Sequence, residues 1–335
     1  MIKGLTNKKK ILKLNSSFIS IYATIGLFIV LFLIGSVMFS GFFSGQVLAN
    51  LFIDNAYLIV LAIGQTFVII TGGIDLSVGS MIAFISMITA SLLQNGVNPF
   101  LVMIFVLIVS IVFGTVQGIL VEKFDLHPWI VTLAGMFFAR GSSYVISINT
   151  ISIKNPVFTA ISGFRIPIGP GVAISINVIV SLIVAAVAIF VLKYTRFGRT
   201  VYAIGGNENS AMLMGLNTGK VKIFVYTVSG FCSSLAGLLF TLYTLSGYGL
   251  HCLGTEMDAI AACVIGGILL TGGSGYPIGP VFGVLTMGII QSLIMFQGNL
   301  NSWWTKIAIG MLLFIFIALQ RIIVIREEKK KVVIS

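Results

Sequence analysis

The sequence predicts an all-α membrane protein: a polytopic bundle of about ten spanning helices, some of them broken or re-entrant. Three observations carry this expectation. The chain is 58% hydrophobic and only 9% charged across 335 residues, whereas a soluble domain carries about a quarter charged residues to keep its surface wet. Its mean hydropathy is +1.11. Apolar runs of helix-spanning length recur from end to end, and most basic residues collect between them.

The first run, 18–40, follows Lys8-Lys9-Lys10. A signal peptide has a shorter apolar core, about 7–15 residues, and no convincing cleavage site follows, so a retained first span is expected. Further runs lie at 50–71, 78–94, 99–121, 129–149, 171–193, 221–246, 258–272, 278–297 and 304–324. Those at 78–94 and 258–272 are short, and partial or tilted spans are expected there. Continuous runs without two-residue alternation read as helices, because lipid offers no partner to an unpaired backbone group. The chain therefore divides into a basic segment 1–17, a membrane domain 18–324 and a basic tail 325–335.

Lysine and arginine set the orientation. With the N-terminus in the cytoplasm, 16 of the 20 basic residues fall inside, the other four being Arg140, Lys154, Arg165 and Lys306. An even number of spans puts the C-terminus inside as well. Trp129 then sits at the inner headgroup level and Trp303 and Trp304 at the outer one.

Several function classes are excluded. The net charge of +11 lies around the spans, which fits orientation and not nucleic acid. Cys232, Cys252 and Cys263 form no CxxC pair, and His251 beside Cys252 has no obvious further ligands, so no metal is expected. No nucleophile–base constellation is visible, so the chain is not expected to be an enzyme. Gly219-Lys220 is the nearest approach to a phosphate-binding loop. No glycine stands five residues before it, and Val221 replaces the required hydroxyl residue. An intramembrane ladder of acids and bases for proton-driven carriage is missing too. The energy is therefore expected from a partner.

Two segments interrupt the helices. Gly72-Gly73-Ile74-Asp75-Leu76-Ser77-Val78-Gly79-Ser80 and Thr271-Gly272-Gly273-Ser274-Gly275-Tyr276-Pro277-Ile278-Gly279 both read TGG, five residues, glycine. Paired glycines unwind a helix at a cost of about 1 kcal/mol each relative to alanine. Paired breaks in corresponding positions point to a transport path. Two roles stand open for Asp75 and Ser77: capping the helix that follows, or lining that path. Asn55, Gln65 and Gln117 are neutral amides suited either to contacting a sugar or to tying helices together. Arg140 either lines the outer path or pairs with Glu256 or Asp258, acids placed with Asp54 near outer helix ends. Gly114, Gly118, Gly230 and Gly237 are read as close-packing positions.

The inner loop 194–222 is polar, basic and punctuated by glycine. Within it Asn207 can cap a short helix that carries Ala211, Met212 and Met214 and ends at Gly215. Such a helix either docks in a groove on a partner or lies at the membrane interface. The outer loop 149–171 holds Pro156, Pro167 and Pro170, so a continuous helix is not expected there.

The chain resembles the permease subunits of ribose-type sugar ABC importers along nearly its whole length. The likeness rests on Gly72–Ser80 (GGIDLSVGS), on Thr195–Gly206 (TRFGRTVYAIGG) and on Asn207–Gly215. Leu133–Phe138, Met257–Ala261 and Ser302–Gly310 are similar to the galactofuranose-importer branch. The resemblance implies a second permease subunit, in a heterodimer in that branch, two ATPase subunits, and an extracytoplasmic sugar-binding protein. The chain itself would hold no cofactor, ATP and Mg being bound by the ATPase partners. Gly206, Asn207, Ala211, Met214 and Gly215 would couple to the ATPase, and Lys154 and Arg165 would meet the binding protein. Gly72, Gly73, Asp75, Ser77, Asn55, Gln65, Gln117 and Arg140 would line the path of a monosaccharide. A self-contained carrier or channel for small polar solutes is the alternative.

Overall fold

The computed structural model describes residues 16–298, 301 and 303–332. The basic segment 1–17 lies outside the described residues except for its last two, and the tail 325–335 is described as backbone helix as far as Val332. In chain order the elements are α1 (Ser16–Met38), α2 (Gly45–Ile70), α3 (Val78–Gln94), α4 (Pro99–Lys123), α5 (Pro128–Ile146), β1 (Ile151–Ser152) and α6 (Pro156–Gly163). There follow β2 (Arg165–Gly169), β3 (Val172–Ser175), α7 (Ile176–Tyr194), α8 (Arg196–Gly206), α9 (Glu208–Leu213) and α10 (Thr218–Thr244). The chain continues through β4 (Ser246–Gly247), α11 (Thr255–Ile265), α12 (Gly279–Gln297) and α13 (Trp303–Val332).

Eight of these helices are long and apolar enough to cross a membrane. The remaining two of the ten expected spans are α3, of 17 residues, and α11, of 11. They are the two that the apolar runs marked as short. The run 258–272 yields the smallest helix because Gly266 and Gly267 end it, the latter at φ +88°, where a side chain is strained.

Most residues across α2 and α10 are buried, while only about a fifth are in the spanning parts of α1, α4 and α13, as in lipid-facing helices. α10 packs along α2, α3 and α4. Glycine makes this closeness possible: a Cβ at Gly230 would stand 3.2 Å from Cα of Gly114, and Ser110 Oγ donates to the Gly230 carbonyl at 2.7 Å. Gly118 and Gly237 are packed the same way, against Ile223 and Ile85.

The segment between α5 and α7 is not one helix, in keeping with its prolines. β1 pairs antiparallel with β4, Asn155 caps α6 through Val157 N–H, and β2 and β3 form a hairpin. The opposite end of the bundle carries α8 and α9. Of the expected anchors, Trp129, Trp303 and Trp304 are all exposed.

Candidate functional site

Three backbones meet at the α8–α9 end. α2 stops at Ile70, where Thr71 and then Gly72, at φ +85°, turn the chain out of the helix. Gly272 and Gly273, at φ +84° and +72°, do the same in the second interrupted segment. The Gly273 N–H donates to the Ile70 carbonyl at 2.9 Å, so the two segments are joined directly. Gly205 of α8 is wedged into this junction, and a Cβ on it would collide with the Ile70 carbonyl oxygen and the Gly273 nitrogen. A Cβ on Gly273 would stand 2.7 Å from the Gly206 nitrogen. Tyr202 adds a second tie, donating its hydroxyl to the Gly275 carbonyl at 2.7 Å. Burial pushes that phenol up to about 12.

From Gly73 the first segment runs back into the bundle. Asp75 is 2% exposed, and its carboxylate accepts three hydrogen bonds. Oδ1 takes the Ser77 N–H at 2.9 Å and the Ser77 hydroxyl at 2.6 Å, and Oδ2 takes the Ser229 hydroxyl at 2.7 Å. Ser229 lies near the middle of α10, which fixes Asp75 at that depth. Gln65, in the amide orientation that satisfies both its groups, donates to the Asp75 carbonyl and accepts from the Asp75 N–H, each at 3.2 Å. Gln117 Oε1 lies 3.4 Å from the Ser77 hydroxyl. Gln65, Asp75, Ser77 and Gln117 thus form one buried polar cluster. The Asp75 carboxylate holds the Ser77 N–H just ahead of α3, and Ser77, which occupies the cap position, makes no side-chain cap bond. Tyr226 reaches the same place: a Cβ on Gly73 would stand 2.6 Å from its hydroxyl oxygen.

α11 begins against the first turn of α3. A Cβ on Gly79 would stand 3.1 Å from both the Cys252 carbonyl oxygen and the Glu256 nitrogen. Two short helices therefore meet at their N-termini inside the bundle: α3, which follows the first interruption, and α11, which precedes the second. Glu256 lies in the first turn of α11, at a helix end as expected, and is only 7% exposed there. Of the two readings of Arg140, pairing with a carboxylate is not what the structure shows. Arg140 Nη1 donates to the Gly249 and His251 carbonyls, each at 2.7 Å, and Asp258 pairs with Lys306 at 2.6 Å. The strand-to-helix segment 246–254 supplies carbonyls that a sequence cannot reveal as the nearer partners.

Asn55 stands apart from this cluster. Its Nδ2 donates to the Leu51 carbonyl at 2.9 Å, and it borders a cavity of about 450 Å³ with Tyr57, Asp258, Gln291 and Lys306. Lys154 and Arg165 are exposed at the hairpin end. No group of three or more metal-binding side chains occurs among the described residues.

At the opposite end α9 forms as expected. Asn207 Oδ1 accepts from the Ser210 N–H at 2.8 Å, and Gly215 ends the turn at φ +78°. Ala211 is fully buried in the chain's own packing, whereas Met212, Leu213 and Met214 project, Leu213 at 89% exposure. Lys222 of α10 ties the pair down, bridging Glu208 of α9 and Glu122 of α4. The sequence reading missed Gly205, Ser229, Tyr226, Leu213 and the Glu122–Lys222–Glu208 bridge. Gly205 had a signal, its pairing with Gly206; the others are ordinary until packing unites them.

Interrupted helices around a buried polar cluster, with a pair of short helices at one end, are the architecture of a membrane transport subunit. Comparison with known proteins agrees. Residues 47–317 match the family described as the branched-chain amino acid transport system permease component. The chain is 46% identical over 92% of its length to the inner membrane ABC transporter permease protein YjfF of Escherichia coli K12, covering 93% of that protein. It is 37% identical over 96% of its length to the fructose import permease protein FruG of Bifidobacterium longum, covering 96% of it. It is 36% identical over 86% of its length to the ribose import permease protein RbsC of Haemophilus influenzae, covering 88% of it. No solved structure matches. The chain belongs to this family of ABC transporter permeases. It is a multi-pass membrane permease and not an enzyme.

Proposed function

We propose that the chain is one permease subunit of an ATP-driven sugar importer and moves a monosaccharide by alternating access. One observation carries the coupling part of this reading: Gly205 is lodged between the Ile70 carbonyl and Gly273, so α8 touches both interrupted segments at once. A push on α8 and α9 from an ATPase partner reaches those segments without an intervening hinge. The docking surface is Met212, Leu213 and Met214, with Asn207 and Gly215 fixing the turn and Gly206 at its root. The N-terminus, the C-terminus and the α8–α9 end lie in the cytoplasm, as the distribution of basic residues favours.

The sugar class is supported by relatives named for ribose, allose and fructose import. Galactofuranose is the particular sugar that the branch-like segments favour. A second permease, different from this one, completes the pore. The path runs past Gly72, Gly73, Asp75, Ser77, Gln65 and Gln117, whose amides and hydroxyls both donate and accept, as a polyol requires. Arg140 and Asn55 serve the outer half. Lys154 and Arg165 face a sugar-loaded binding protein.

The test is uptake by the assembled importer, comparing labelled galactofuranose, ribose, allose, fructose and leucine. ATP-dependent entry of one of the sugars and none of leucine is expected. Entry of leucine alone overturns the sugar reading.

A further inference from the structure

α8 is amphipathic. Gly198, Val201 and Ile204 are buried against the bundle, while Arg196 and Arg199 face outward. A helix of this kind lies in the plane of a membrane interface, with its basic side chains at headgroup level. Between the last turn of α7, α8 and the second interrupted segment is a cavity of about 530 Å³. Its lining includes the polar side chains of Lys193, Arg199, Tyr202 and Tyr276 and the aliphatic ones of Ile189 and Ile278.

The cations in this cavity are the unusual feature. Among the described residues the ion pairs involve only Lys222 and Lys306, so neither Lys193 nor Arg199 has a carboxylate partner. Lys193 sits over the Tyr194 ring at 5.2 Å, and Arg199 Nη1 donates to the Tyr194 carbonyl at 3.4 Å. These contacts hold both groups in place and leave their charge uncompensated. A concave site lined by two positive groups and by aliphatic side chains matches one kind of partner, a phosphate carried on an acyl chain. Basic recesses between membrane helices take anionic headgroups in this way.

We propose that this cavity binds the headgroup of an anionic phospholipid, the phosphate between Lys193 and Arg199 and an acyl chain along Ile189 and Ile278. The lining also includes Gly273–Ile278, the segment that Tyr202 and Ile70 hold through hydrogen bonds to Gly275 and Gly273. A bound lipid therefore braces the junction through which α8 reaches the interrupted helices, and transport by the assembled importer depends on it. This does not rest on which solute is carried.

The full chain in nanodiscs of mixed phosphatidylglycerol and phosphatidylcholine tests the proposal, with retained lipid read by native mass spectrometry. Each basic side chain near an anionic leaflet is worth roughly fivefold in affinity. K193Q and R199Q should each lower retained phosphatidylglycerol by about that factor, and the double variant by about their product. R196Q removes the same charge three residues away but does not border the cavity, so it should retain wild-type binding. Thermal unfolding in detergent identifies any variant that has lost its fold, and the single variants then carry the comparison. Equal losses in R196Q and R199Q would reduce the effect to general surface charge and overturn the proposal. Retention unchanged in the double variant would overturn it as well. Displacement of the lipid by excess inorganic phosphate would reassign the cavity to a free anion.

Discussion

The Gly273 N–H donates to the Ile70 carbonyl at 2.9 Å, joining two interrupted helices whose sequence motifs stand 200 positions apart, 71 against 271. Gly205 fills the remaining space beside that bond, and an added methyl group has nowhere to go. Overpacking of this kind costs about 1–3 kcal/mol. G205A is expected to lower the unfolding temperature of the detergent-solubilised chain and to uncouple ATP hydrolysis from uptake. G206A, whose added Cβ meets nothing within 4 Å, should leave stability unchanged. Wild-type unfolding and uptake in G205A would show that the wedge does not matter.

The Asp75–Ser229 bond, 2.7 Å and fully buried, locks the first interrupted segment to α10. Removing the carboxylate in D75A leaves three donors without their acceptor, at about 1–3 kcal/mol. A double-mutant cycle of D75A with S229A measures the pair, and a coupling of about 0.5–1.5 kcal/mol is expected for a buried hydrogen bond. If the same variants retain stability and lose only uptake, Asp75 contacts the solute and its structural role is minor.

Arg140 clamps the segment after β4 through the Gly249 and His251 carbonyls. R140A should raise hydrogen exchange across 248–254 and weaken uptake, with expression preserved. R140K keeps the charge without the two-pronged planar geometry, so an intermediate rate is expected. Exchange that does not change in R140A would separate Arg140 from this segment.

Gly215 closes α9 at φ +78°, with open space around it. A valine there is strained by roughly 1–2 kcal/mol, while asparagine tolerates the left-handed turn. G215V is therefore expected to abolish ATP-driven uptake with the protein still in the membrane, and G215N to retain most of it. Equal activity in both would remove α9 from the coupling path.

Most of the fold could be read from residues alone because lipid imposes one rule on every span. The eight long helices are the eight long apolar runs, and the shortness of 78–94 and 258–272 already marked α3 and α11. Helix ends were also local matters: Asn207 and Gly215 did what capping chemistry demands. The site was read less completely. That Gln65, Asp75, Ser77 and Gln117 converge depends on how three helices pack, and nothing in their spacing states it. A carboxylate partner was one of the two readings of Arg140 because charge pairs are what a sequence displays, but backbone carbonyls are invisible in it. Ala211 is turned inward because α9 leans on the bundle, an orientation its six residues do not determine.

The central claim is that the chain is a gate moved from its α8–α9 end by a nucleotide-hydrolysing partner. Accumulation of sugar in proteoliposomes tests this most directly, using the purified chain with and without its second permease, ATPase subunits and binding protein. The expected result is concentration of sugar inside only when the full assembly hydrolyses ATP. Concentration of any solute by this chain alone, with no ATPase present, would contradict it.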